Sequence, residues 1–265
     1  MANSQAKIKL HWLNGSRANS LLWLLEDLGV PYDVEVYHRK ADMLAPPELA
    51  KVHPLGKSPV VTVTAPDSTQ SVVLAESGFI FQYLCDHFAE GKTLVPKKWK
   101  DGQENKVLGE TEAWMRYQYL LNYVEGSLMP NLVMFLVLSA LKGKQVPFIV
   151  RPISSVIANQ VIAMMVLPNM KKHLGFLEQQ LETSGGDFIT GPTMTAADIL
   201  LSYPLLAGST GFDSMGKWPK GTAKESYPKL FAYMERLEQQ PGYKKAVEKT
   251  KEIDNGKFSL VPTPP

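Results

Sequence analysis

At 265 residues, with 45% apolar and 20% charged residues, the chain has the composition of a globular protein long enough to bury a sizeable core without covalent staples. Its net charge of +2 gives no electrostatic case for nucleic acid as a partner. The single cysteine, Cys85, excludes an internal disulfide and suits a reducing compartment.

The N-terminal segment Met1–Leu10 lacks the apolar run of a secretory signal, so a cytoplasmic location is expected. Lys7–Leu13 alternates polar and apolar residues and predicts a strand. Ser16 then opens a helical pattern that puts Leu21, Leu24, Leu25 and Leu28 on one face, ended by Gly29 and Pro31. Tyr32–Tyr37 predicts a second strand, and residues 46–52 a short helix with prolines at its start. Residues 58–64 and 71–74 predict two strands joined by a turn around Pro66, Asp67 and Ser68. Residues 76–88 predict a helix with Ile80, Tyr83, Leu84 and Phe88 on one face. A βαβ unit forces a parallel crossover, and the following hairpin adds antiparallel strands. That order is the thioredoxin-like plan, and it assigns residues 1–90 to an α/β domain.

Residues 91–101 carry Pro96 and a run of lysines with no apolar period, and are expected to be a linker. Residues 102–265 are expected to form an all-α helical bundle. Trp114, Tyr117, Leu121, Val124 and Leu128 make one helical stripe, and Leu167, Met170, Leu174, Leu177 and Leu181 make another. Leu230, Tyr233, Met234 and Leu237 repeat the spacing. The most apolar segment, residues 128–141, is shorter than the roughly 20 residues of a membrane span and is interrupted by Pro130 and Asn131, so it predicts a buried helix. The tail 261–265 is proline-rich and expected to be loose.

Four local features carry chemistry or mimic it. Lys57–Ser58–Pro59 stands at the entry of the third strand, where a proline is either a plain edge residue or a cis-proline that frees a backbone N–H and C=O for a peptide ligand. Glu76–Ser77 opens the next helix. The pair is either an ordinary cap, or an anion site with an acid beside it, the arrangement that a free α-amino acid needs. Asn14–Gly15–Ser16–Arg17 precedes the first helix, where a hydroxyl in a positive potential either caps the helix or donates to a thiolate. Thr195 and Asp198 make a capping box that reads as structural.

These segments, in this order, resemble glutathione transferases, and most closely the fungal branch of that family, in which membrane association is found. The resemblance is carried by HWLNGSRANSLLWLLEDLGVPYDVEVYHR, APPELAKVHPLGKSPVV, LAESGFIFQYL, YVEGSLMPNL and ITGPTMTAADILLSYPL, and so covers nearly the whole chain. It implies that Ser58 pairs its backbone with the cysteinyl part of glutathione across a cis Ser58–Pro59 bond. Glu76 and Ser77 would hold the γ-glutamyl end, and Lys57 would lie near the cysteinyl-glycine end. Ser16 is the first choice for the residue facing the sulfur, Arg17 the second and Asn14 the third. Tyr117 and Tyr123 are placed on the helix that walls the acceptor site. Many relatives carry a polar residue before the short helix that reaches the glycine carboxylate. Met43, Leu44 and Ala45 stand there instead, which leaves Arg39, Lys40 or His53 to make that contact.

The activity implied is conjugation of the glutathione thiolate to hydrophobic electrophiles in detoxification and stress response, with a glutathione peroxidase activity beside it. Glutathione is then a substrate, and neither a fixed cofactor nor a metal is called for. Cys85 lies within a helix rather than at the first helix start, which argues against glutaredoxin-like chemistry and for a small core residue. His11 alternates with core positions, and His38, His87 and His173 show no metal spacing. The resemblance also implies a homodimer, with the striped helix from Thr111 to Leu128 as candidate surface, and leaves open a peripheral association with the endoplasmic reticulum membrane. The alternative is a regulatory or ligand-carrier protein of the same fold that binds glutathione without turnover.

Overall fold

A computed structural model describes residues 6–66, 68–89 and 94–262. The chain begins with strand β1 (Lys7–Leu13), helix α1 (Ala18–Leu28), strand β2 (Tyr32–Tyr37) and the short helix α2 (Glu48–Val52). Strands β3 (Val60–Thr64) and β4 (Ser71–Ala75) and helix α3 (Ser77–Phe88) follow. The four strands lie in the order β2-β1-β3-β4, with β1 and β2 parallel and the other two pairings antiparallel. This is the thioredoxin-like plan. The hairpin turn expected around Asp67 falls partly outside the described residues.

The first helix is shorter than its apolar pattern suggests. It starts at Ala18, because the Ser16 hydroxyl accepts from the Ala18 N–H at 3.2 Å and closes a turn ahead of the helix. The short helix likewise starts at Glu48 rather than Pro46, and β3 at Val60 rather than Ser58. Prolines occupy the entry of both, supplying a fixed φ and no N–H. Gly29, with φ 62°, ends α1 in the left-handed region that a glycine adopts without strain.

Beyond α3 every regular element among the described residues is helical. Helix α4 (Glu112–Tyr123) passes through a π-helical turn (Val124–Leu128) directly into α5 (Met129–Ala140). Helix α6 (Arg151–Val161) passes through a second π-helical turn (Ile162–Val166) into α7 (Leu167–Thr183). Each π-turn runs up to a proline two residues after its end, Pro130 and Pro168. A proline ring clashes with the carbonyl four residues back, and one widened turn relieves that clash without breaking the helix. Four α-helices and a 3-10 turn (Asp213–Met215) follow among the described residues: α8 (Ala196–Ser209), the single-turn α9 (Ala223–Ser226), α10 (Pro228–Glu238) and α11 (Pro241–Ile253).

One core joins the two halves. Leu21, Trp23 and Leu25 of α1, Ile80 and Leu84 of α3, Leu121 of α4, Leu174 of α7, Leu201 of α8 and Ala246 of α11 belong to a single buried cluster. Asp198 anchors α8 within it. Its carboxylate accepts from the Thr195 N–H and hydroxyl at 2.8 Å, from the Ile189 N–H at 3.0 Å and from the Tyr233 hydroxyl at 2.8 Å.

The segment 128–141 is not the buried helix its composition predicts. Within α5 only Asn131 is buried, while Val133, Met134, Leu136 and Val137 are exposed. The helix that contains it runs without a break from Glu112 to Ala140, 29 residues, and its neighbour from Arg151 to Thr183, 33 residues. By length and composition alone both could cross a membrane. Their inner ends pack into the core through Tyr117, Leu121, Met170 and Leu174, and their outer ends form a two-helix arm with uncovered apolar sides.

Candidate functional site

Three segments remote in sequence meet at one cleft. The loop before α1 brings Arg17, the entry to β3 brings Lys57, Ser58 and Pro59, and the β4–α3 junction brings Ala75, Glu76 and Ser77. His53 and Leu55, after α2, complete the wall. The Ser58–Pro59 bond is cis. The Ser58 side chain is turned inward, its hydroxyl donating to the His11 carbonyl at 2.9 Å. Glu76 holds φ at 69°, a left-handed conformation unusual for a residue with a Cβ. Such a conformation persists only where the surroundings fix it, and it concentrates at functional sites. Its carbonyl accepts the Ile80 N–H at 2.9 Å, while Ser77, buried, is the first residue of α3. The early N–H groups of a helix have no partner within it, so the α3 end of the cleft offers both donors and a positive potential.

The candidates for the residue beside the sulfur separate clearly. Arg17 lines the cleft. Ser16 is 4% exposed and its hydroxyl is engaged with the Ala18 N–H. Asn14 is engaged elsewhere: its Oδ1 accepts the Arg39 N–H at 2.7 Å and its carbonyl accepts from Arg39 Nε at 3.1 Å. The Arg39 guanidinium also donates to the carbonyls of Met43 and Gly15, so it braces the loop rather than reaching into the cleft. Of Arg39, Lys40 and His53, only His53 stands in the cleft wall.

Glu125, which sequence reasoning passed over, meets Arg17 in an ion pair across the domain boundary. It sits on the first π-helical turn. Its Oε2 faces the guanidinium, and its Oε1 is buried without a hydrogen-bond partner among the described residues. The available signal was an acid within the otherwise apolar run YVEGSLMP.

Tyr117 and Tyr123, expected to wall an acceptor site, face the helical core instead. Tyr117 is 1% exposed with its hydroxyl against the Cys85 thiol. Tyr123 is buried, its hydroxyl 2.8 Å from His173 Nδ1 and its ring stacked on Tyr119. A stripe that looks inward on a helical wheel meets core before it meets a cleft. Burial pushes the Cys85 thiol up to about 12, so it stays protonated and unreactive at neutral pH, as a core residue. The His11 ring lies between the hydroxyls of Tyr37 and Thr62, at 3.2 and 2.9 Å, and burial lowers its pKa. Among the described residues no group of three or more His, Cys, Asp or Glu is placed to hold a metal.

A second, apolar cavity of about 160 Å³ lies between α5, α8 and the C-terminal segment. That segment crosses the loop before α1 closely. A Cβ added at Gly15, whose φ is 54°, would stand 2.6 Å from the Val261 carbonyl oxygen and 2.7 Å from Pro262 Cα.

Comparison with known proteins gives a consistent result. The family model described as glutathione S-transferase, N-terminal domain, matches residues 7–86, and that described as glutathione S-transferase, C-terminal domain, matches residues 158–250. The chain is 33% identical to glutathione S-transferase 1 of Saccharomyces cerevisiae over 93% of this chain and 96% of that one. It is 28% identical to glutathione S-transferase 3 of Schizosaccharomyces pombe over 97% of this chain and 96% of that one. Among solved structures it is similar to a glutathione S-transferase from Actinobacillus pleuropneumoniae, with 30% identity, a TM-score of 0.65, and coverage of 95% of this chain and 97% of that one.

Proposed function

The chain belongs to the glutathione transferase family, and from that premise we propose that the Arg17–Ser58–Glu76–Ser77 cleft binds glutathione and presents its thiolate to an apolar electrophile. The observation that carries the reading is the convergence of Arg17, Ser58, Glu76 and Ser77, from three separate segments, on one cleft at the N-terminal ends of α1 and α3. The γ-glutamyl carboxylate meets the free N–H groups of α3 and Ser77, and the ammonium meets Glu76. The cysteinyl backbone runs beside Ser58, and the glycine carboxylate lies toward Lys57 and His53.

Activation of the thiol follows from the same wall. A free cysteine thiol has a pKa of about 8.5, which a helix N-terminus or a nearby cation lowers. The start of α1 and Arg17 supply both influences. Holding the acceptor beside the sulfur then turns a bimolecular encounter into a positioned one. Conjugation is the principal reaction in this reading, with peroxide reduction as a second reaction and detoxification under stress as the biological role. The protein acts in the cytoplasm as a homodimer with a peripheral hold on membranes. The homodimer would pair the faces that expose Phe79 of α3 and Met115 and Tyr119 of α4. Calorimetric titration of glutathione, followed by turnover of an aryl halide and of an organic hydroperoxide, tests the proposal. Millimolar or tighter binding with conjugation supports it, and binding with no turnover of either acceptor overturns the catalytic reading.

A further inference from the structure

Beyond α11 the chain turns back across the start of α1 and is tied along its length. His38 Nε2 stands 2.8 Å from Asp254 Oδ1. Phe258 sets its ring edge-on to Tyr243, and Leu260 packs partly buried against the core. The Ser259 carbonyl accepts from Asn19 Nδ2 at 3.3 Å. Asn19 is buried and fixed in turn, its Oδ1 accepting from the Trp12 indole at 2.9 Å and from the Thr250 hydroxyl at 3.3 Å. The Val261–Pro262 peptide lies on the Cα of Gly15, with no room for a Cβ between them. The Ser259 hydroxyl donates to the Val261 carbonyl at 2.7 Å and holds it in that position. A segment beyond the helices of its domain is poorly ordered unless tied down, and two of these ties bracket one residue. Gly15 precedes Arg17 by two positions and Asn19 follows it by two, and Arg17 is the residue of this loop that lines the cleft.

We propose that segment 254–262 is a strap that positions Arg17 beside the glutathione sulfur, so that thiol activation depends on contacts made by the C-terminal segment. The inference rests on the glutathione-binding reading above. The Arg17 side chain is not fixed by burial: it is 30% exposed, and its ion pair with Glu125 draws the guanidinium toward the helical domain. The contacts at Gly15 and Asn19 decide where that side chain starts from. Arg39 holds the same loop by other groups, its N–H donating to Asn14 Oδ1 and its guanidinium to the carbonyls of Asn14 and Gly15. His38, beside it in sequence, meets Asp254, so the two braces are joined at one end. Gly15 answers two demands at once: its φ of 54° is left-handed, and its Cα is bare where the strap crosses. Coulomb attraction falls with separation, so a loop free to move away would give the sulfur less of the guanidinium's field. A cation fixed in advance costs no reorganisation when the thiolate forms. Ser58, Glu76 and Ser77 stand on separate segments, at the entry of β3 and at the β4–α3 junction, so the strap serves activation more than binding.

The test measures the pKa of bound glutathione, from thiolate absorbance against pH at saturation, and glutathione affinity by calorimetry. Phe258→Ser with Leu260→Ser removes both apolar anchors of the strap without adding a charge. Gly15→Ala sets a methyl group against the Val261–Pro262 peptide. Both strap variants are expected to raise the thiol pKa by about one unit, as Arg17→Ala does. Affinity measured below that pKa, where the sulfur keeps its proton, should change less than about threefold. One unit is about tenfold in thiolate below the pKa, so kcat/KM for an aryl halide, with glutathione saturating, should fall about tenfold in acid and recover at high pH. Adding Arg17→Ala to the strap substitutions should give the pKa of Arg17→Ala alone, because the strap acts through Arg17. An unmoved pKa in both strap variants overturns the inference, and so does a shift that adds in full to that of Arg17→Ala. An activity loss equal at every pH also overturns it, since that marks general damage to the fold. All three outcomes leave the proposed function intact if the wild-type protein binds glutathione. Wild-type protein that binds none overturns the proposed function, and this inference with it.

Discussion

A thiol held in the cleft beside Arg17 feels two opposed charges. The guanidinium favours thiolate, while Glu125 across the domain boundary cancels part of its field. Arg17→Ala should therefore raise the pKa of bound glutathione by about one unit, at the low end of what a close cation supplies. Glu125→Gln, which removes the counter-charge, should lower it. Ser16→Ala should move it less than Arg17→Ala, because Ser16 is buried and Arg17 is the one of the two that lines the cleft. Thiolate absorbance against pH, with glutathione saturating, measures all three, and a Glu125→Gln pKa that rises would show that the guanidinium swings away once untethered. Glu76→Ala and Ser77→Ala should each weaken glutathione binding by about 10- to 150-fold, the loss of one charged hydrogen bond, with little change in Tm. Calorimetry decides this, and unchanged affinity in both would move the γ-glutamyl site elsewhere. These two groups were legible in the sequence because each is local: Ser58 with Pro59, and Glu76 with Ser77, are adjacent pairs whose spacing sets their chemistry. Glu125 was harder to read. It becomes part of the site only through its ion pair with Arg17, more than a hundred residues away, and a lone acid in an apolar run does not name its partner.

At the scale of elements, pattern and end signals give the strands β1 and β2 to the residue, because alternation and flanking turn residues agree there. Starts fail where a side chain imitates a cap, as Ser16 does two residues ahead of α1. The segment 128–141 fails for a different reason. Composition shows that a helix is apolar, but not how many of its sides have neighbours. Its continuation through a π-helical turn also makes the helix far longer than the apolar run alone. The Thr195–Asp198 box is the converse case, a local signature whose consequence is tertiary. Asp198 serves donors from Thr195 at the cap of α8, from the loop at Ile189 and from Tyr233 of α10 at once. Asp198→Ala takes the carboxylate from four buried donor groups and should cost about 3 kcal/mol or more. Tm should then fall by roughly 6–12 °C for a chain of this size, read by calorimetry or circular dichroism. A fall of a degree or two would mean that water replaces the carboxylate.

At the scale of the whole molecule, α5 and α6 extend an arm with exposed apolar side chains from the core. Phe148, Ile149, Ile153 and Ile157 are each more than half exposed near its tip. Contiguous apolar surface of this kind marks an interaction site on a soluble protein. The charge pattern selects the partner. From Gly126 to Leu177 the chain has no Asp or Glu, whereas Lys142, Lys144 and Arg151 flank the tip. A face that must meet a second copy of itself gains nothing from charges of one sign, since they repel across a twofold axis. An anionic lipid surface attracts them, each by about 1 kcal/mol, and receives the apolar side chains below the headgroups. The arm should therefore bind vesicles containing phosphatidylserine and bind neutral phosphatidylcholine vesicles much less, with the difference shrinking as salt screens the basic residues. The double substitution Ile153→Glu and Ile157→Glu should abolish cosedimentation with anionic vesicles. It should leave the proposed homodimer intact in sedimentation at micromolar concentration, because that proposal places the dimer contact on the Phe79, Met115 and Tyr119 face. If the substitution instead yields monomers, the arm is the subunit interface and the membrane assignment fails. If neutral vesicles bind as well as anionic ones, the basic residues have no part in docking.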